Sequence, residues 1–438
     1  MTLAVRVAAE AGKRASRILS TISAEQRGAA IRAAVELIEQ NRHNLIETNS
    51  QDLAAAETML TSGEITHGSY DRLRLTEKKI GEMTRSMQAV VELADPIGRV
   101  LQRTELDQGL VLEKITCPLG VLAVIFEARP DAVTQISALG LKSANAVILK
   151  AGREVERTAL ALVEIIRPAL AKSGLPKDAV TLVMGRESVR ELLSMSDLVD
   201  MVIPRGSKEL VEFVQANTRI PVLGHAEGIC HIYVDEVADI DMALAIIDDA
   251  KTDYPAACNA AETVLVHKEI AAEFLPKLAE RLLPKQVALR GCERTRATLA
   301  DQRIEAMENN DWHHEYSDLV LAVRVVDSIG DAIEHIHTYG SSHTETIVTN
   351  DPIAAEQFLS EVDAAGVFHN ASTRFADGYR YGFGAEIGIS TSKLHARGPV
   401  GLEGLTTYKY VLRGSGQVAR DYQGANAKAF LHKIMPTD

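Results

Sequence analysis

Cysteine is scarce and never clustered: four residues in 438, at positions 117, 230, 258 and 292, with no C-x-x-C pair. That excludes a disulfide scaffold and predicts free thiols in a reducing cytoplasm. Basic residues are outnumbered, 47 Lys and Arg against 60 Asp and Glu, for a formal charge of −13 and a pI near 5.5. No Lys/Arg block occurs, so the chain lacks the footprint of a nucleic-acid binder and no such partner is expected. Long apolar runs are missing as well. No window approaches the roughly 18 uncharged apolar residues of a membrane helix, and the N-terminal MTLAVRVAAEAGKRASRILS has no apolar core of a secretory signal. The phosphate fingerprints G-x-G-x-x-G and G-x-x-x-x-G-K-[ST] are absent; Gly382 and Gly384 begin the first, and Ile387 breaks it. No H-E-x-x-H occurs and His335, His337 and His395 show no ligand spacing, so no metal is expected.

What is present is an ordinary globular composition, 46% apolar and 24% charged, long enough for two or three domains. The first hundred residues read as helical: Ser23 and Gln26 form a capping box ahead of Ile31, Ala34, Leu37 and Ile38. RVLQRTELDQGLVLEKITCP then reads as a hairpin turning at Asp107-Gln108-Gly109. From Gly120 the chain alternates. GVLAVIF, AVILK, AVTLVMG, LVDMVIP and IPVL are strands separated by helical patterns, and a second round follows with ICHIYVD, ETVLVH, LVLAVRVVD, ETIVT and GVFHN. This alternation predicts parallel, doubly wound sheets in two α/β domains that meet near residue 230.

Two junctions in this pattern carry chemistry. In VIPRGSKELVEF a strand ends, Gly206 turns and Ser207 caps a helix whose free N–H groups suit a pyrophosphate. In YPAACNAAETVLVH, Cys258 sits among small residues directly before a strand. Ala256, Ala257, Asn259 and Ala260 leave room for a carbonyl to approach, and the Cys258 N–H is a candidate oxyanion donor. Packing filler is the ordinary reading of such a cysteine, and it is kept for Cys117, Cys230 and Cys292.

Taken together, GVLAVIF, Lys150 at a strand end, Gly206-Ser207 at a helix start, Cys258 and Glu315 before strands, and Val367-Phe368-His369-Asn370 resemble the aldehyde dehydrogenase superfamily over nearly the whole chain. CPLGVLAVIFEARPDA, VIPRGS, PVLGHAEGICHIYVD and DYPAACNAAETVLVH are similar to its branch that reduces L-glutamyl 5-phosphate, especially to the reductase half of the fused proline-synthesising enzymes of plants. The resemblance implies an α/β fold with a Rossmann-like cofactor domain (1–99 and 118–230) and a catalytic domain (231–373). Residues 374–399 would return to the cofactor domain. A small β flap, 100–117 with 400–425, would serve oligomerisation.

The chemistry implied is attack by Cys258 on the acyl phosphate, departure of phosphate, and hydride transfer to the thioester, giving glutamate 5-semialdehyde. Lys150 is then a ribose contact. Arg153, three positions on, stands where a glutamate would favour a free 2′-hydroxyl, and so favours NADP. Glu315 would hold the nicotinamide ribose. Arg129, Arg374, Lys393 and Arg397 are the cations expected to bind the phosphate and carboxylate of the substrate. Two departures stand out. The position of the water-activating glutamate of hydrolytic relatives falls on His225, with Glu227 two residues on, which suits an enzyme that must not hydrolyse its thioester. FEARPD replaces the turn that supplies an oxyanion-hole amide, which leaves Asn259 as the side-chain candidate. TTYKYVL, joining the hairpin, implies a homodimer or dimer of dimers; a glutamate kinase is a further partner expectation. A thiol acyltransferase or hydrolase without nicotinamide, and a non-catalytic protein on the same fold, are the rival readings.

Overall fold

The computed structural model describes residues 5–224, 227–308 and 310–437. The chain divides into two compact units: Met1–Leu223 with Phe383–Gly388 and Val400–Asp438, and Gly224–Gly382 with Ile389–Pro399. The break after Leu223 precedes the expected position near 230. Of the segment 374–399, expected to rejoin the first unit, only Phe383–Gly388 packs there; the rest belongs to the second unit.

The first unit opens with helices. The one over Ala24–Gln40 starts at the expected capping box, with the Ser23 hydroxyl accepting from the Gln26 N–H and the Gln26 side chain accepting from the Ser23 N–H. The hairpin follows as β1 (Val100–Asp107) and β2 (Leu110–Pro118), with Gly109 in the left-handed region that its turn requires. Then come β3 (Val121–Phe126), β4 (Ala146–Ala151), β5 (Val180–Val183) and β6 (Met201–Arg205). They form a parallel sheet in the order β5-β4-β3-β6. Every residue of β3 and β4 is buried, which is why these strands read as unbroken apolar runs: a parallel sheet is covered on both faces. The chain winds outward from β3 to β5 and returns to β6 on the other side of β3. The β3/β6 boundary is therefore the point where winding reverses, the position at which open α/β sheets bind ligands. IPVL contributes only a single bridge, Val222 to Val202.

The second unit holds β7 (Cys230–Val234), β8 (Ala261–His267), β9 (Ala288–Gly291), β10 (Glu305–Ala306), β11 (Val320–Val326), β12 (Thr344–Val348) and β13 (Gly366–His369). All pair in parallel, in the order β10-β9-β11-β8-β7-β12-β13. β9 and β10 were not legible, being four and two residues long. Both faces of the sheet are packed, one around Phe274, Leu278 and Val264, the other around Tyr233, Leu265 and Phe358. The chain crosses between units through β14 (Gly388–Ser390) and β15 (Gly398–Val400). It ends with β16 (Thr406–Arg413) and β17 (Lys433–Met435), which complete a sheet ordered β16-β2-β1-β17 within the first unit.

Candidate active site

Cys258 lies in the loop between the helix Ile240–Thr252 and β8, at the amino end of the sheet. Two tight turns shape this loop, Ala257 N–H to the Tyr254 carbonyl (3.1 Å) and Ala260 N–H to the Ala257 carbonyl (2.9 Å), and they leave the cysteine half-buried. Gly228 packs against the backbone of Cys258. A Cβ at this position would lie 2.0 Å from the Cys258 carbonyl oxygen and 2.6 Å from its carbonyl carbon, so only glycine fits. The Gly228 N–H donates to Glu315 Oε2 (2.9 Å), and the Ser317 hydroxyl donates to Glu315 Oε1 (3.3 Å). Ile229 N–H donates to Ser341 Oγ (2.8 Å), and the buried Cys230 thiol donates to the Cys258 carbonyl (3.4 Å). Glu315 is thus brought to the segment behind Cys258, although 56 residues of chain intervene in the sequence.

A buried ion pair supports the same loops. Lys251 Nζ meets Glu262 Oε2 at 2.9 Å with both side chains almost fully buried, and Ser317 N–H donates to Glu262 Oε1 (3.3 Å). Burial raises the Glu262 carboxyl to about 7 against the pull of Lys251, and lowers the Lys251 ammonium. Sequence reading missed this pair because Glu262 lies inside a strand pattern and its partner is on the preceding helix.

Asn259 does not offer the side-chain amide expected of it. Its Nδ2 donates to the carbonyls of Ala376 (2.9 Å) and Arg374 (3.5 Å), and its Oδ1 accepts from the Arg374 guanidinium, so the buried amide holds the 374–376 loop. Arg374 also binds Asp253 (3.2 Å), joined by Arg380 (3.4 Å); Arg374 first and Arg380 after it hold the Asp253 carboxyl below its ordinary value. Lys393 and Arg397 converge on Asp363, Arg397 at 2.9 Å. Arg397 Nε and Nη2 are buried with no partner among the described residues. His225 lies outside the described residues, and Glu227 is half-buried.

The first unit carries the residues expected to hold a cofactor, at the carboxyl end of its sheet. Lys150 is buried, donates to the Ala151 carbonyl and lies 3.7 Å from Glu156 Oε1; burial lowers its pKa while Glu156 and Glu154 oppose that. Arg153 is exposed and pairs with Glu64 at 2.7 Å. Ser207 caps the helix Lys208–Ala216, its hydroxyl accepting from the Leu210 N–H (3.4 Å). At this junction, where the free N–H groups of the helix were expected to hold a pyrophosphate, the Ser207 N–H is given to Glu127 Oε2 (2.9 Å), and a Cβ at Gly206 would meet that oxygen at 2.3 Å. Sequence reading missed Glu127; a carboxylate at the end of β3, 80 residues before Ser207, has no local signature. The FEARPD turn is held by Glu154, which accepts from the N–H of Ala128, a residue at φ 48°. Arg129 pairs with Asp131 at 3.0 Å. These residues fit a dinucleotide: Lys150 lies at the end of β4, the second strand of a βαβ unit, and Arg153 follows it, where such units meet a ribose.

Comparison with known proteins gives a consistent result. The model described as the aldehyde dehydrogenase family matches residues 2–291. The chain is 51% identical over 429 residues to gamma-glutamyl phosphate reductase 1 of Synechocystis sp., covering 98% of each chain. It is 49% identical over 433 residues to the gamma-glutamyl phosphate reductase of Natronomonas pharaonis, covering 99% of this chain and 98% of that one. The crystal structure of gamma-glutamyl phosphate reductase from Thermotoga maritima superposes with a TM-score of 0.91 at 39% identity, covering 94% of this chain and 99% of that one. An acetylating aldehyde dehydrogenase from Geobacillus thermoglucosidasius, at 16% identity and a TM-score of 0.66 over 94% and 97% of the two chains, shares the fold.

Proposed function

The chain belongs to the aldehyde dehydrogenase family, and within it to the gamma-glutamyl phosphate reductases; from that membership we propose that it reduces L-glutamyl 5-phosphate to L-glutamate 5-semialdehyde and phosphate, with NADPH, as the second step from glutamate to proline. The observation that carries this reading is Cys258, held half-exposed on a loop whose backbone is pinned by Gly228 and Cys230.

In the proposed reaction the Cys258 thiolate forms a bond to the acyl carbon, the carbon–oxygen bond to phosphorus breaks, and phosphate leaves. The Cys258 N–H is the donor proposed for the developing oxyanion, since the Asn259 side chain is committed to the 374–376 loop. Bound NADPH supplies the hydride that reduces the acyl carbon. Release of the aldehyde returns the thiolate to Cys258. Lys150 and Arg153 are the proposed ligands of the adenosine ribose and its 2′-phosphate. Glu315 is the proposed ligand of the nicotinamide ribose; each carboxylate oxygen accepts more than one hydrogen bond, so its hold on Gly228 leaves capacity for a hydroxyl. Arg397 is the preferred substrate cation, because its Nε–Nη2 edge has no internal acceptor among the described residues and matches a carboxylate or phosphate in a bidentate fashion. Histidine at position 225, in place of a carboxylate, is proposed to spare the thioester from hydrolysis.

The oligomer proposed is a homodimer or dimer of dimers. β16 is an edge strand with Tyr408, Tyr410 and Leu412 exposed, an arrangement that a second chain would cover. A glutamate kinase, as the source of a labile acyl phosphate, is the proposed functional partner. No described helix is long and apolar enough to cross a membrane, and the four cysteines are free, which supports a cytoplasmic site of action.

Stopped-flow absorbance tests the reading. The enzyme should oxidise NADPH on mixing with glutamyl phosphate, and reduce NADP when given glutamate semialdehyde and phosphate. Absence of both from a folded protein would refute it.

A further inference from the structure

The segment Gly228–Cys230 touches the backbone of the nucleophile twice, and the reaction proposed above uses neither contact. Gly228 lies flush against the carbonyl of Cys258, and the Cys230 thiol donates to that same carbonyl at 3.4 Å. Cys230 opens β7 and is fully buried. On its other side the sulfur meets His343 Nδ1 at 3.6 Å, and that nitrogen is 2.9 Å from Thr344 Oγ1. A thiol has one hydrogen; directed to the Cys258 carbonyl, it leaves the sulfur lone pairs facing the imidazole. Burial first, and the charges of Glu345 and Cys258 after it, push the Cys230 thiol well above its usual range, so it stays protonated and remains a donor.

A peptide unit is planar and trans, so fixing its carbonyl fixes the opposite N–H. The Cys258 carbonyl belongs to the peptide whose N–H is that of Asn259. With the carbonyl oxygen held toward Cys230 and Gly228, the Asn259 N–H is turned away from β7.

Resting on the reading of Cys258 as nucleophile, we propose that Cys230 is a positioning residue for the reaction: its thiol locks the Cys258–Asn259 peptide so that the Asn259 backbone N–H serves as a second donor to the acyl oxygen. The role sought from Asn259 in the sequence then falls to its main chain. The buried thiol acts through the backbone of the reactive one and forms no bond to substrate.

The test compares Cys230→Ala and Cys230→Ser in the full chain. Three quantities are measured: NADPH oxidation with glutamyl phosphate, burst acylation of Cys258 by p-nitrophenyl acetate, and alkylation of Cys258 by iodoacetamide, followed by peptide mass spectrometry. Acylation develops an oxyanion and alkylation does not. Cys230→Ala should slow acylation and kcat about 10-fold, with KM and the alkylation rate within roughly twofold of the parent. Cys230→Ser, which restores a donor, should recover most of the loss. Unchanged acylation in Cys230→Ala, an equal fall in acylation and alkylation, or failure of serine to rescue would each overturn the proposal. If the parent shows no NADPH oxidation but the contrast between acylation and alkylation holds, the assigned reaction fails and the positioning role stands.

Discussion

The residues proposed for the chemistry lie at opposite ends of the two parallel sheets. In the first unit Lys150 lies at the end of β4, Arg153 follows it, and Gly206 and Ser207 follow β6, all at the carboxyl ends of the strands. In the second, Cys258 precedes β8 and Glu315 precedes β11, at the amino ends. At the carboxyl end of a parallel sheet the next helix begins, so helix N-termini and their free N–H groups collect there and attract anions. At the amino end helices finish, and what the loops offer is main chain held by neighbouring main chain. The first arrangement suits a polyanionic dinucleotide; the second suits a neutral acyl carbon whose oxygen needs a few fixed donors. The materials differ accordingly. Arg153, Glu64 and Arg129 are exposed or half-exposed charges around the buried Lys150, whereas Gly228, Cys230, Lys251 and Glu262, behind the half-exposed Cys258, are buried. Substitutions in the second unit should therefore have large effects that salt barely changes, and those in the first smaller ones that salt weakens.

The largest effect is expected from Cys258→Ser, which should lower kcat for NADPH oxidation by about 10⁴-fold or more while leaving thermal unfolding unchanged. Next, Lys251→Met strands the Glu262 carboxylate in the interior and should cost about 3–5 kcal/mol in urea unfolding, with much of it regained in Lys251→Met/Glu262→Met. Failure of the second change to rescue would place the loss in packing and blur the contrast.

His335 gives the acid response of the second unit. Burial foremost, then His231 and Arg324, hold its imidazolium down to about 2. Its folded value lies below its unfolded value of about 6.5, so its contribution to stability is complete above 6.5 and declines as pH falls toward 2. Between pH 7 and pH 5 the parent should lose up to about 2 kcal/mol more than His335→Gln, as read from urea midpoints. Parallel curves for the two proteins would remove this residue from the account.

Smaller effects belong to the first unit. Arg153→Ala should raise KM for NADPH about 10-fold and leave KM for NADH nearly unchanged, with the difference shrinking in high salt. Glu64→Gln, which frees Arg153 from its carboxylate, should lower KM for NADPH by no more than about fivefold, as befits an exposed pair of about 1 kcal/mol or less. An increase instead would assign Glu64 to the ribose.

Much of this architecture was legible because it is local. The strands around GVLAVIF and ETVLVH announce themselves as apolar runs, Ser23 and Gln26 as a cap, and Cys258 as a thiol among alanines. What escaped is non-local. Glu127 takes the Ser207 N–H from 80 residues away in sequence. Asn259 is committed to a loop more than a hundred residues downstream, and Lys393 and Arg397 are drawn onto Asp363. Residue type and spacing could nominate these side chains, but only tertiary pairing decides which cation or amide retains a free face. The glycine at 228 is the instructive case, since its reason is a main-chain contact with Cys258 that no sequence pattern encodes.

The sheet β16-β2-β1-β17 has a consequence for synthesis on the ribosome. β2 ends at Pro118 and its neighbour β16 starts at Thr406. At translation rates of roughly 5–20 residues per second, the nascent hairpin waits about 15–60 s for the strand that covers its edge. During that interval the Leu110–Pro118 edge is open to capture by another nascent chain, so chaperone demand should peak while the second unit is being made and fall once β16 emerges.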